Sequence, residues 1–280
     1  VGGFYALLMI KLLVGAGERP NYLPLFASVG GLMAAAVFVL FATVREKQAA
    51  QVAEEEQGRE DAKKDAVGQA SGGSTVLSAP VKRSMAFLLA SILLWFTAYN
   101  AVTTAFSRYT RVVWHMEGGS FADCLMVATV AAIISYIPIG NIASRIGRKK
   151  TILAGIVLMS VCYFAAIFVG AYHPVINLAF AAIGVGWAAI NVNSYPMIVE
   201  MSKGSDIGKF TGTYYTFSMA AQIITPVLSG FLLENVSYRT LFPYAFLFSV
   251  LAFLTMTQVR HGDSKPEKKK DMLDNFDVED

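Results

Sequence analysis

Long uncharged runs divided by short polar turns dominate the chain from Ser84 onward. Residues 84–107, 124–144, 210–233 and 240–259 contain no Asp, Glu, Lys or Arg, and neither does the 49-residue run 151–199. A helix needs about 20 apolar residues to cross the hydrocarbon layer, where no water can satisfy a backbone that does not bond to itself. The long run is therefore two spans turning near Gly170–Pro174. The pattern predicts six spans, at 84–107, 121–144, 151–170, 174–199, 208–232 and 239–258. Ahead of them stand a full span at 22–44 and an apolar stub at 3–16. The stub is too short to cross, which predicts a chain that begins partway through a helix. A polar stretch at 45–82 carries Glu54, Glu55 and Glu56 in a row and then Ser71-Gly72-Gly73-Ser74, the composition of a flexible tether. The expected organisation is the end of one helical bundle at 1–44, a linker at 45–82, a six-helix bundle at 83–259 and a polar tail at 260–280. The fold class is all-α, a polytopic transmembrane bundle truncated at its start.

Composition agrees. The chain is 55% hydrophobic and 15% charged, whereas a soluble domain carries about 25% charge. The net charge of +3 matters less than its placement. If the loop after Val44 is cytoplasmic, alternation puts eighteen Lys and Arg on the inner side and four on the outer, the bias that orients cell-membrane proteins. Linker and tail are then cytoplasmic. Cys124 and Cys162 both fall in predicted spans, where a thiol acts as a small apolar group. His115, His173 and His261 lie in loops or the tail, and no acid, nucleophile or metal-ligand cluster lies at depth. The expectation is a monomer in the bilayer without metal, cofactor, enzymatic chemistry or nucleic-acid partner.

Strong hydrogen-bonding side chains concentrate in three spans. Tyr99, Thr103 and Ser107 are spaced by four, as are Asn100 and Thr104, so both rows lie on adjoining faces of one helix. Trp187, Asn191, Ser194 and Tyr195 share a side of another. Thr211, Tyr215, Ser218, Gln222, Thr225 and Ser229 form a stripe along a third. Spans 22–44, 151–170 and 239–258 have few such groups and are expected to face lipid. Hydrogen bonding between helices is one use of such stripes, at about 0.6–2 kcal/mol per contact. Amides combined with Trp and Tyr also suit an aqueous cavity with a polar, uncharged solute. Sugars are of this kind, since their hydroxyls pair with Asn and Gln and their C–H faces stack on aromatic rings. The expected substrate-binding residues are Tyr99, Asn100, Thr103, Trp187, Asn191, Tyr215 and Gln222. Pro138, Pro196 and Pro226 lie within spans, where a freed carbonyl permits a bend.

Between two spans lies Gly140-Asn141-Ile142-Ala143-Ser144-Arg145-Ile146-Gly147-Arg148-Lys149-Lys150. This turn resembles the G-x-x-x-D-R-x-G-R-[RK] loop of the major facilitator superfamily, with Ser144 where the acid would stand. The resemblance implies part of helix five, helix six and a complete second half. The dry spans then fall at positions six, nine and twelve, which that family places outside. The stretch from Asn191 to Pro196 and on to Glu200, followed by Gly208-Lys209-Phe210-Thr211-Gly212-Thr213-Tyr214-Tyr215, is similar to the sucrose and glycoside–pentoside–hexuronide cation symporters. The implied function is secondary active transport of a sugar or glycoside by alternating access. Coupling would be to a proton or sodium ion held in the first half. A lipid or drug-like carrier is the alternative, and a receptor or scaffold that moves no solute is a third reading. Arg145, Gly147, Arg148, Glu200 and Asp206 are the expected inner gate. Arg108 and Arg111, one turn apart, are candidates for an outer gate or anion contact; pairing with Glu117 and Asp123, or snorkelling, would also occupy them.

Overall fold

The computed structural model describes residues 23–43, 78–117, 120–202 and 207–263. The predicted stub, the linker as far as residue 77 and the tail from 264 lie outside them. Seven helices follow: α1 (Leu23–Thr43), α2 (Ala79–Val113), α3 (Phe121–Ile146), α4 (Arg148–Ile167), α5 (Ile176–Ser202), α6 (Ile207–Asn235) and α7 (Leu241–Thr257), the last entered through a 3-10 turn at Tyr238–Thr240. Among the described residues there is no strand, and all seven helices have the length and apolarity to cross a membrane. The two spans within 151–199 turn where expected, with α4 closing at Ile167 and α5 opening at Ile176.

Helix α2 begins at Ala79, inside the stretch read as linker. Pro80 occupies its first turn, where a missing N–H costs nothing because that donor has no partner in the helix anyway. At 35 residues, α2 is about 52 Å long, longer than the hydrocarbon layer is thick. Its charged ends, Lys82 and Arg83 on one side and Arg108 and Arg111 on the other, extend beyond the uncharged middle.

The six helices α2–α7 form two interleaved triplets. Helix α2 packs into the pair α6 and α7, α5 packs into the pair α3 and α4, and α4 meets α7 between them. Exchanging α2–α4 for α5–α7 leaves this set of contacts unchanged, the mark of an internal repeat. Three spans per triplet make the repeat inverted. Helices α3 and α6, with at most a marginal contact between them, flank the α2–α5 pair; we term the region where these four helices meet the trough.

Glycine sets the closeness of α5 to its neighbours. A Cβ on Gly155 of α4 would lie 2.7 Å from the Gly186 carbonyl oxygen, and one on Gly186 would lie 2.8 Å from that of Gly155. On the other side of α5, a Cβ on Gly184 would overlap the Ala128 carbonyl of α3. Where no hydrophobic force drives helices together in lipid, backbone contact of this kind supplies the attraction.

The dry spans carry exposed apolar side chains: Val157, Val161, Phe164 and Phe168 form a stripe along the second half of α4 and just beyond it, as do Leu247, Leu251 and Leu254 on α7. Their few hydroxyls join helices: Ser160 Oγ donates to Ser249 Oγ at 2.8 Å, and Ser91 Oγ lies 2.8 Å from Thr255 Oγ1. Helix α1 buries only Leu25 among its described side chains and presents Phe26, Met33, Phe38 and Phe41 outward.

Candidate functional site

The trough brings two of the expected residues into direct contact. The rings of Tyr99 on α2 and Trp187 on α5 stack with centroids 3.7 Å apart and planes 5° from parallel. Phe96, one turn below Tyr99, meets the indole edge-on at 5.1 Å. Both stacked residues are only partly covered. Tyr136 of α3, 41% exposed, lies within electrostatic reach of the Tyr99 hydroxyl. The sequence reading missed it. Tyr136 stands among Ile133, Ile134, Ile137 and Ile139, with no polar residue repeated at helical spacing to mark its face.

A second aromatic set ties α5 to α6. Tyr195 meets Tyr214 edge-on at 5.6 Å, and Tyr214 meets Tyr215 at 5.3 Å. The Tyr195 hydroxyl lies 3.1 Å from Thr211 Oγ1, and the Ser194 hydroxyl 3.4 Å from the Tyr214 hydroxyl. Tyr195 is two turns along α5 from Trp187, about 12 Å. The two sets mark different depths of one wall.

Most of the amides expected to meet solute bond their own helices. Asn191 Nδ2 donates to the Trp187 carbonyl at 3.0 Å, and Gln222 Nε2 to the Ser218 carbonyl at 3.5 Å, the limit of a hydrogen bond. Asn193 is buried and bonds the Ala189 carbonyl at 2.8 Å. Thr103 Oγ1 reaches back to the carbonyls of Tyr99 and Asn100. Asn100 differs: its buried Nδ2 has no hydrogen-bond partner in the protein. The residue after Tyr99 thus holds a buried amide donor that no protein atom satisfies.

The polar stripe expected on α6 is two stripes. Tyr214, Ser218, Ala221, Thr225, Ser229 and Leu233 are buried; Tyr214 meets α5, while the main contact of α6 is with α2, where Ser229 and Leu233 line the same cavity as Thr104 and Arg108. Tyr215, 50% exposed, and Gln222 stand on the open side. Ser218, Thr225 and Ser229 are therefore packing residues: small side chains let backbones approach, and Ser218 and Ser229 return their hydroxyls to the carbonyls of Tyr215 and Thr225.

At the end that carries Arg145, Arg148, Lys149 and Lys150, the basic end, Arg148 Nη1 donates to Glu200 Oε2 at 2.7 Å with both side chains mostly covered. This joins α4 to α5 within one bundle. Gly147 links α3 to α4 at φ +99°, a conformation that only glycine adopts without strain. Arg145 is exposed, and Asp206 lies outside the described residues.

At the opposite end Arg108 Nη1 donates to Glu234 Oε1 of α6 at 2.7 Å, and its guanidinium sits 5.9 Å from the Tyr238 ring centroid. Arg111 is exposed. Arg108 thus finds Glu234 rather than Glu117 or Asp123, because it continues the Thr104 face of α2, which borders α6. A cavity of about 150 Å³ lies there, walled by Thr104, Arg108, Pro226, Ser229, Glu234 and Tyr238. Among the described residues no cluster of His, Cys, Asp and Glu could hold a metal.

Two interleaved, inverted triplets of spanning helices define a multi-pass membrane bundle. The Major Facilitator Superfamily description matches residues 114–274, more than half of the chain, and the chain belongs to that family. It is 28% identical over 116 residues to the chloramphenicol resistance protein CraA of Acinetobacter baumannii, an alignment covering 41% of this chain and 28% of CraA. It is 26% identical over 176 residues to an uncharacterized MFS-type transporter of Mycobacterium tuberculosis, covering 61% of this chain and 24% of that protein. The chain thus spans about a quarter of the length of these curated relatives. The crystal structure of the human organic anion transporter MFSD10 shares its fold with a TM-score of 0.51 at 9% identity, over 66% of this chain and 49% of the other.

Proposed function

We propose that the protein carries an uncharged, ring-bearing, amphipathic solute across the membrane by alternating access, with this bundle supplying one wall of the path. The Tyr99–Trp187 stack, with the unpartnered Asn100 amide on the residue next to Tyr99 and Tyr136 within electrostatic reach, carries this reading. Flat aromatic surface with few polar anchors and no ionised group at mid-span binds a solute by area and ring contacts, with a small number of hydrogen bonds for orientation. Coupling to a proton or sodium ion through the other half belongs to the same proposal.

A sugar or glycoside, expected from the sequence, is the second reading, favoured by the similarity around Asn191–Pro196 and Gly208–Tyr215. Two features weigh against it. Tyr99 covers one face of the Trp187 indole that a sugar ring would need, and Asn191 and Asn193 each donate an N–H to their own helix. The likeness to a protein named for chloramphenicol resistance favours the drug-like solute.

The test is counterflow into proteoliposomes holding the intact protein, with labelled chloramphenicol in one arm and a labelled disaccharide in the other, with and without a proton or sodium gradient. Gradient-dependent chloramphenicol flux whose half-saturation concentration Trp187→Ala raises is the expected result. Disaccharide flux alone moves the assignment to the second reading, and flux in neither arm removes both.

A further inference from the structure

The residues that follow α7 are built into the basic end of the bundle. Lys149, in the first turn of α4, sends its Nζ to the carbonyls of Thr257, at 2.9 Å, and Val259, which close α7. Asp263, six residues beyond α7, returns a carboxylate: its Oδ1 accepts the Lys149 backbone N–H at 2.8 Å. Each helix so provides the charge that suits the other's end, an ammonium at the carbonyl terminus of α7 and a carboxylate at the N–H terminus of α4.

The intervening residues fasten two more helices. Ser84, at the start of α2, accepts the Arg260 backbone N–H at 3.2 Å and lies 2.8 Å from His261 Nδ1. Gly262, at φ +81°, lies so close to α5 that a Cβ there would stand 2.8 Å from both the Met197 carbonyl oxygen and Met201 Cγ. Across the α3–α4 turn the fit is also close, since a Cβ on Gly147 would lie 3.1 Å from Asp263 Oδ1. Ser144, where the family loop carries an acid, turns its hydroxyl back to the Asn141 carbonyl at 2.7 Å and gives α4 nothing.

We propose that residues 258–263 form a clasp in which Asp263 supplies from beyond α7 the carboxylate that the α3–α4 turn lacks, so that the basic ends of α2, α4, α5 and α7 move as one body through the transport cycle. Asp263 is a positioning residue. It holds the α4 terminus and, through Gly262, keeps the end of α5 covered.

Met201, 4% exposed beneath Gly262, is the reporter. In intact protein with Cys124 and Cys162 replaced by alanine, Met201→Cys is reacted with a water-soluble maleimide in nanodiscs, which leave both faces accessible. Asp263→Asn, and a chain stopped after Val259, should each speed labelling about two- to tenfold, the range that a charge at a helix terminus commands. Both should slow chloramphenicol counterflow, and Asp263→Glu should restore labelling and flux. Unchanged labelling in Asp263→Asn and in the shortened chain overturns the clasp. If Asp263→Asn does not accumulate, Lys149→Met tests the clasp from its other side with the same two outcomes. Labelling needs no solute, so a wrong solute assignment and a wrong clasp give different results.

Discussion

Tyr99 and Trp187 lie face to face across the floor of the trough, 3.7 Å between ring centroids, although 88 positions separate them in the chain. The contact joins the first helix of one triplet to the first helix of the other. It is therefore a joint between the two repeats and, in the proposed transport role, a solute surface as well. A stacked aromatic pair contributes about 0.5–1.5 kcal/mol beyond its buried area, roughly two- to twelvefold in an affinity. Trp187→Ala should raise the half-saturation concentration for chloramphenicol by at least that factor. The same loss should follow Tyr99→Ala, with the double variant little worse than either single one. Solute titration of intrinsic fluorescence checks this, because the signal change should vanish in Trp187→Phe while Trp95 and Trp114 remain.

The glycines of α5 predict stability rather than transport. Gly186→Ala would drive a Cβ into the Gly155 carbonyl, a backbone atom that cannot swing aside. Overpacking of this kind costs about 1–3 kcal/mol, and the unfolding midpoint in detergent should fall accordingly. Gly184→Ala should be worse, since the Ala128 carbonyl is closer still. Gly170→Ala, which meets nothing within 4 Å, should leave the midpoint unchanged.

The spans could be read from the sequence because lipid dictates both their length and their freedom from charge, and the turn at Gly170–Pro174 followed from length alone. Periodicity reported which residues of α6 share a face but not what covers that face. Ser218, Thr225 and Ser229 sit a fraction of a turn from Tyr215 and Gln222, enough to put the first three against α2 and the others on the open side. Partners distant in sequence were out of reach. Arg108 looked to Glu117 and Asp123 because they are near along the chain, whereas Glu234 is 126 positions away. Asp263 belonged to what read as a solvated tail, and only the fold places its carboxylate at the start of α4.

The two ion pairs should differ in weight. Arg108 and Glu234 are 67% and 56% exposed, against 17% and 22% for Arg148 and Glu200. An exposed pair contributes about 0–1 kcal/mol, so Arg108→Ala should barely move the unfolding midpoint. Arg148→Ala leaves the Glu200 carboxylate largely shielded from water without this partner, and should cost about 1–3 kcal/mol, between the exposed and the fully buried cases. Exchanging the charges as Arg148→Glu with Glu200→Arg should recover part of that loss. A midpoint equally insensitive to both single substitutions would remove the distinction.

The divided face of α6 makes the sharpest prediction, because three neighbouring substitutions should have three different consequences. Gln222→Ala removes an exposed amide held by one marginal bond, so flux should fall sharply while membrane insertion and thermal stability stay at the parent level. Ser229→Leu forces a large side chain into the α2 contact, where serine is 1% exposed, and should lower the unfolding midpoint by the equivalent of about 1–3 kcal/mol. Thr225 is fully buried and its hydroxyl has no partner in the protein. Thr225→Val keeps the shape and removes an unsatisfied polar atom, so it should be neutral or stabilise by about 1 kcal/mol. Loss of stability in Gln222→Ala, or full flux in its presence, would return Gln222 to the packed face and take it out of the solute path.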